Sequence, residues 1–259
     1  MGVGPMTDAS LNFWTASDGI QLAWRETGQG RPLILLHGLF SDSQMNWVKF
    51  GTAERIARDG VRVIMPDLRA HGQSGKPQTA DHYPHLVLVR DLTELVAHLG
   101  LDEFDLGGFS LGARTTIEAV LGGLRTRRAI LAGTGLDVLT NWQRRSRFYI
   151  ETIDRFDEVK RGDAQWLAVQ FMKTMKIDRP AARLLLGTMH DHEDRALLAD
   201  AFSMPTLVVC GDKDDDNGSA VELANALPNA RYAEIPGTHM SSVTEPELGE
   251  AIADFLRTA

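Results

Sequence analysis

The stretch Phe104-Asp105-Leu106-Gly107-Gly108-Phe109-Ser110-Leu111-Gly112-Ala113 runs from an apolar, strand-like segment straight into a helical pattern. At the junction stands Gly-x-Ser-x-Gly, and its spacing has a steric reason. A serine projected from a sharp strand-to-helix turn needs neighbours without bulk two positions before and after it, and Gly108 and Gly112 supply them. Ala113 keeps the turn lean. Working outward, short apolar runs recur at Pro32–Leu36 and Val61–Met65 on one side and at Arg128–Ala132, Thr206–Cys210 and Arg231–Ile235 on the other. Helical stretches separate several of them, so the pattern predicts an α/β fold: a mostly parallel central sheet, buried on both faces and flanked by helices.

Leu88, Leu92, Leu95, Val96 and Leu99 have helical spacing, as do Ala113, Ile117, Val120 and Leu121 after the serine turn. Leu11–Trp14 and Gln21–Glu26, joined through Ser17-Asp18-Gly19, predict an antiparallel hairpin at one edge. The strand rhythm breaks after Ala132. From about Leu139 to Asp200 the chain is polar, basic and helical, with scattered aromatics and methionines, which predicts an inserted helical cap. The division expected is a core of residues 1–138 and 201–259 and a cap of residues 139–200. The chain closes with a helix carrying Leu248, Ile252, Phe255 and Leu256, and Thr244 with Glu247 fits a capping box at its start.

Bulk composition narrows the function. Of 259 residues, 35 are acidic and 27 basic, and the resulting net charge of −8 repels polyanions, so no nucleic-acid partner is expected. The hydrophobic fraction of 43% and charged fraction of 24% are those of an ordinary globular protein. The single cysteine, Cys210, excludes an intrachain disulfide and is expected to serve packing. No stretch reaches the roughly 20 apolar residues of a membrane span. Met1 to Met6 has neither the basic nor the apolar region of a signal peptide, and a cytoplasmic protein is the expectation, monomer or homodimer.

A serine hydroxyl is a weak nucleophile at neutral pH; it needs a base within hydrogen-bond reach, and the base needs an acid to fix its tautomer. Downstream of Ser110, Asp214 follows the run ending at Cys210-Gly211, and His239 follows the next strand in Ile235-Pro236-Gly237-Thr238-His239. Loops at the C-terminal ends of parallel strands share one sheet edge, so these three positions converge there. Asp212, Asp215 and Asp216 crowd the acid loop, and Asp137 after the preceding strand is a further rival. An oxyanion also needs preorganised donors. The turn after Leu35-Leu36-His37-Gly38 presents the backbone N–H of Leu39, and the N–H of Leu111 opens the helix beyond the serine.

Taken together these pieces resemble the α/β-hydrolase superfamily, in its small serine-esterase, enol-lactonase and perhydrolase-like branch. The likeness rests on His37-Gly38, Asp67-Leu68-Arg69-Ala70-His71-Gly72-Gln73-Ser74, the turn at Ser110, Gly211-Asp212-Lys213-Asp214 and Gly237-Thr238-His239, in that order, and it spans nearly the whole chain. Ala70 departs from it, standing where the family often has glycine. The resemblance implies Ser110 as nucleophile, His239 as base and Asp214, three residues after Gly211, as acid. It implies no cofactor and a small-molecule carboxylic ester as substrate, cleaved through an acyl-enzyme. Lactone, thioester or carbon–carbon bond hydrolysis and perhydrolysis use the same groups, and a ligand-sensing protein on an intact hydrolase fold is the rival of another class. Serine at position 110 argues against the epoxide-hydrolase and haloalkane-dehalogenase branches, which carry aspartate there.

His37 and His71 precede the nucleophile and are expected to hold their loops. His190-Asp191-His192-Glu193 has metal-capable side chains, but adjacent positions on a helix do not aim at one point, and no metal is expected. Gly107-Gly108 with Gly112 does not fit the dinucleotide fingerprint. Phe40, Trp142, Phe148, Tyr149, Trp166 and Met172 are the candidate pocket residues. Arg144 and Arg145 are read as a solvated cap face rather than as ligands of an anionic substrate.

Overall fold

The computed structural model describes residues 9–140, 142–191, 196–216 and 218–258. Met1 to Met6, His192 and Glu193 lie outside them. In chain order the elements are β1 (Ser10–Thr15), β2 (Gln21–Thr27), β3 (Arg31–Leu36), α1 (Thr52–Ala57), β4 (Val61–Asp67), α2 (Val87–His98), β5 (Asp105–Phe109), α3 (Leu111–Leu121) and β6 (Ala129–Ala132). Then follow α4 (Trp142–Asp154), α5 (Trp166–Thr174), α6 (Arg179–Leu186), α7 (Ala196–Ala201), β7 (Thr206–Gly211), α8 (Ala220–Ala226), β8 (Ala230–Ile235) and α9 (Pro246–Thr258).

One sheet has the order β1-β2-β4-β3-β5-β6-β7-β8. β1 pairs with β2 and β2 with β4 in antiparallel fashion, as the hairpin reading expects, while the other neighbours are parallel. The mostly parallel, helix-flanked α/β architecture read from the sequence is therefore the one observed. Alternation along β3 shows how it is held. Leu33 and Leu35 meet α1 and α9 through Ile56, Ile252 and Phe255, whereas Ile34 and Leu36 meet the α2 residues Leu88, Leu92 and Leu95 on the opposite face. On that second side Ala113 and Ile117 of α3 and Leu223 of α8 pack on Leu131 and Val208. Each of the leucine, isoleucine, valine and phenylalanine side chains taken fully out of water contributes about 1.5–3 kcal/mol.

Between β6 and β7 the chain forms α4 to α7. Trp142, Val169, Met172, Leu185 and Leu186 from this segment join the same apolar cluster as α2 and β3, so its helices share the core of the sheet rather than enclosing a core of their own. Cys210 is buried at the end of β7, and burial with the neighbouring Asp214 pushes its thiol up to about 12.

The capping box does not form. α9 begins at Pro246, while Thr244 lies in a short 3₁₀ turn and donates its hydroxyl to the carbonyl of Ser241 at 2.8 Å. Proline at the first helical position needs no N–H partner and presets its own φ, which moves the helix start past Thr244.

Candidate active site

From β3 the chain steps to β4 on one side and then crosses to β5 on the other, so the C-terminal ends of β3 and β5 flank a point where the winding reverses. Crevices open at such points. Residues His37 to Ser41 leave β3 there, and Ser110 leaves β5 there.

Ser110 has φ 54° and ψ −108°, a region that costs a non-glycine residue on the order of 1–3 kcal/mol. The strain is imposed by close packing around it. A Cβ on Gly108 would lie 2.3 Å from the Gly112 carbonyl carbon, so any larger residue would push the strand off the helix. The Ser110 amide is fixed on the carbonyl of Ala132 at 2.9 Å, and the residue is only 6% exposed.

Its hydroxyl meets His239 Nε2 at 2.9 Å, and His239 Nδ1 meets Asp214 Oδ2 at 2.9 Å. A carboxylate only accepts, so Nδ1 carries the proton and Nε2 is left to accept from the serine. The imidazole packs against the Phe109 ring, with centroids 5.1 Å apart. Asp214 is 1% exposed at its side chain, and its other oxygen accepts the Asp216 amide at 3.1 Å. Burial pushes this carboxyl up, but the hydrogen bond and charge of His239 outweigh it and hold the pKa below the ordinary value. The described Nδ1 bond of His239 goes to none of the rival acids: Asp212 accepts the Gly237 amide at 2.7 Å and so braces the loop carrying His239, and Asp137 packs against the Gly218 backbone.

Among the described residues neither the Leu39 nor the Leu111 amide donates to a protein acceptor; Leu111 opens α3 directly after Ser110, and a Cβ on Gly38, next to Leu39, would lie 3.6 Å from Ser110 Cβ. His37 and His71 are both wholly buried. Leu68 N–H donates to His37 Nε2 at 2.9 Å, and Phe40 N–H donates to His71 Nε2 at 3.1 Å. Their Nδ1 atoms face the carbonyls of Gly38 at 2.8 Å and Arg69 at 2.9 Å, so both rings are neutral and protonated on Nδ1. Burial depresses both; His71, next to His37, is pushed down to about 3. The rings meet edge to face, 5.1 Å apart.

Of the pocket candidates, Phe40 stacks edge-on against Tyr149 at 5.3 Å and Tyr149 against Phe148 at 5.2 Å. Trp142 is buried beneath the guanidinium groups of Arg114 and Arg145, and Met172 is buried in the core cluster. Trp166 opens α5, half-buried, with no described contact to these groups. Arg144 is exposed as expected, but Arg145 is half-buried and donates to the Asp216 carbonyl, which makes it a tie to the acid loop rather than a solvated face. The sequence reading missed a small crevice whose walls include His85, Val87, Leu111, Arg114, Leu185 and Met189. Its one visible signal was Arg114, spaced i+3 from Leu111 and i−4 from Glu118, with which it pairs at 2.6 Å.

Asp214, Asp216 and His239 bring ligand atoms within 4.8 Å of one another, but a cation there would displace the bond between Asp214 and His239. His190 faces the His85 ring at 5.3 Å, and Asp191 accepts the Gln143 amide at 3.0 Å. Among the described residues no helix is long and apolar enough to cross a membrane.

The sequence model of the alpha/beta hydrolase fold matches residues 31–121. A non-heme haloperoxidase of Rhodococcus erythropolis is 27% identical over 88% of this chain and 92% of its own. Among solved structures, a hydrolase from Pseudomonas aeruginosa superposes with a TM-score of 0.75 at 25% identity, covering 95% of this chain and 98% of that one. A thermophilic esterase from Thermogutta terrifontis, in a malate-bound form, gives a TM-score of 0.75 at 26% identity, with 97% and 98% covered.

Proposed function

Since this chain belongs to the α/β-hydrolase superfamily, we propose that it is a serine hydrolase cleaving a small carboxylic ester. The observation that carries the reading is the continuous hydrogen-bonded line from Ser110 Oγ through His239 to Asp214, 2.9 Å at each step. Hydrolase chemistry is further supported by the esterase and hydrolase among the related structures.

In this reading Ser110 Oγ attacks the ester carbonyl while His239 Nε2 takes its proton. The carbonyl oxygen becomes an oxyanion held by the Leu39 and Leu111 amides, and Asp214 stabilises the imidazolium. Collapse breaks the bond to the alcohol oxygen, which receives the proton from His239. Water, deprotonated by the same imidazole, then attacks the acyl-enzyme and releases the acid. Residues 139–200 act as the cap: α4 spans the site, with Tyr149 against Phe40 at the oxyanion turn and Arg145 on the Asp216 carbonyl at the acid loop.

The haloperoxidase relative favours a second reading, in which hydrogen peroxide replaces water at the acyl-enzyme and a peracid leaves. Hydrolysis of p-nitrophenyl esters from acetate to decanoate, with and without peroxide, tests both. Turnover lost in Ser110→Ala is expected. Equal inactivity of wild type and variant on every ester, thioester and lactone tried sinks the hydrolase reading.

A further inference from the structure

We propose that His71 is a positioning residue of the oxyanion hole: by accepting the Phe40 amide it locks the turn that presents the Leu39 amide to the reacting oxygen. The inference rests on the serine-hydrolase reading above and adds a residue from the loop of a different strand.

The turn is Gly38-Leu39-Phe40-Ser41, closed by the Ser41 amide on the Gly38 carbonyl at 3.2 Å. Phe40 occupies its third position with φ 59°, a left-handed conformation that glycine adopts freely and phenylalanine does not. Left alone, Phe40 would relax to negative φ by flipping the Leu39–Phe40 peptide plane, and the Gly38–Leu39 plane that carries the Leu39 N–H, joined to it through the Leu39 Cα, would lose the turn that fixes it. Two contacts oppose this. The Phe40 ring is buried against Tyr149, and the Phe40 N–H is held by His71 Nε2 at 3.1 Å.

Only a neutral imidazole protonated on Nδ1 can accept there, and the surroundings enforce that state. Nδ1 faces the Arg69 carbonyl at 2.9 Å, burial keeps the ring uncharged, and the Arg69 main chain is anchored through its own guanidinium on Asp91 and Asp18. The two loops are crossed at further points by Leu68 N–H on His37 and Ser43 N–H on Asp67, 2.9 and 2.8 Å, but of these described bonds the one to His71 reaches the middle of the turn.

The test uses His71→Phe, which keeps a ring but removes the acceptor, and His71→Gln, whose side-chain oxygen restores one. Readouts are kcat and KM on the best p-nitrophenyl ester and the affinity of an alkylboronic acid, whose tetrahedral adduct on Ser110 mimics the oxyanion. For His71→Phe kcat is expected to fall about 10–100-fold with KM within about threefold, boronate affinity falling in parallel, and His71→Gln to recover a substantial part. A His71→Phe variant with unchanged kcat, or with the loss confined to KM, overturns the proposal. If both variants fail to fold, amide exchange in the wild type decides: Phe40 protected in the free protein and Leu39 protected only with boronate supports it, and an unprotected Phe40 amide overturns it. Failure of the wild type on every ester and boronate would instead remove the underlying hydrolase reading.

Discussion

Gly112 passes the end of β3 so closely that a Cβ on it would lie 2.2 Å from the carbonyl oxygen of Leu36. Helix α3 is therefore seated on the strand that carries the oxyanion turn, and the distance between the serine and that turn is set by a hydrogen atom. Gly112→Ala must push α3 off β3, at a cost of about 1–3 kcal/mol by analogy with overpacked cores. Urea unfolding gives the stability and ester turnover the geometry. An alanine variant as stable and active as wild type would show that the backbone there yields freely.

Asp214→Asn keeps the size of the acid but offers His239 a donor as readily as an acceptor, favouring the wrong tautomer. Ester turnover is expected to fall by up to about 10⁴-fold. Asp212→Asn preserves an acceptor for the Gly237 amide, and Asp137→Asn changes neither described bond of the His239 imidazole, so both should keep most activity. Side-by-side kcat/KM values for the three variants check this, and an active Asp214→Asn would move the acid elsewhere.

Acid should weaken the fold through the paired histidines. Both are held below the ordinary value of 6.5, His71 at about 3, so the unfolded chain binds more protons than the folded one across that interval. Their contribution is fully present above pH 6.5 and is lost as the pH falls below it; for His71 the loss runs on towards 3, at up to about 1.4 kcal/mol per pH unit. Urea midpoints between pH 7 and 5 should fall more gently in His71→Gln than in wild type; parallel lines would contradict the assignment.

Arg69 is wholly buried, with Nη1 2.7 Å from Asp18 and Nη2 2.8 Å from Asp91. Removing it takes the close partner from buried Asp91, which is left with Arg90 3.6 Å away, while Asp18 keeps Arg90 at 2.7 Å, and Arg69→Ala is expected to lose about 3–5 kcal/mol. Arg69→Met with Asp91→Leu should lose less than the sum of the single changes, because the second substitution removes a buried charge that the first deprives of its two direct hydrogen bonds. Additive losses in denaturant titrations would show that the two groups do not interact.

The strands were legible because β3, β5, β6 and β7 are buried on both faces and so read as unbroken apolar runs. Ser110 and its glycines were legible because the turn admits so few residue types. Asp214 was harder: four aspartates within five positions differ only in where a short loop points them, and the loop is shaped by contacts such as Asp212 with the Gly237 amide. The capping box failed because Pro246 displaced the helix start. Arg145 looked like surface, since a basic residue beside Arg144 on a polar helix gives no sign that its neighbour three positions back is a buried tryptophan.

Cys210 closes β7 with its thiol buried and pushed up to about 12. To maleimides and other thiol reagents the native chain is thus nearly blank. A cysteine placed at Leu167, 72% exposed in α5, or at Met240, 51% exposed beside His239, would take a spin or fluorescent label alone. Label pairs across those two positions would report the span between α5 and the loop that carries the base while an ester is being turned over, without first engineering the background.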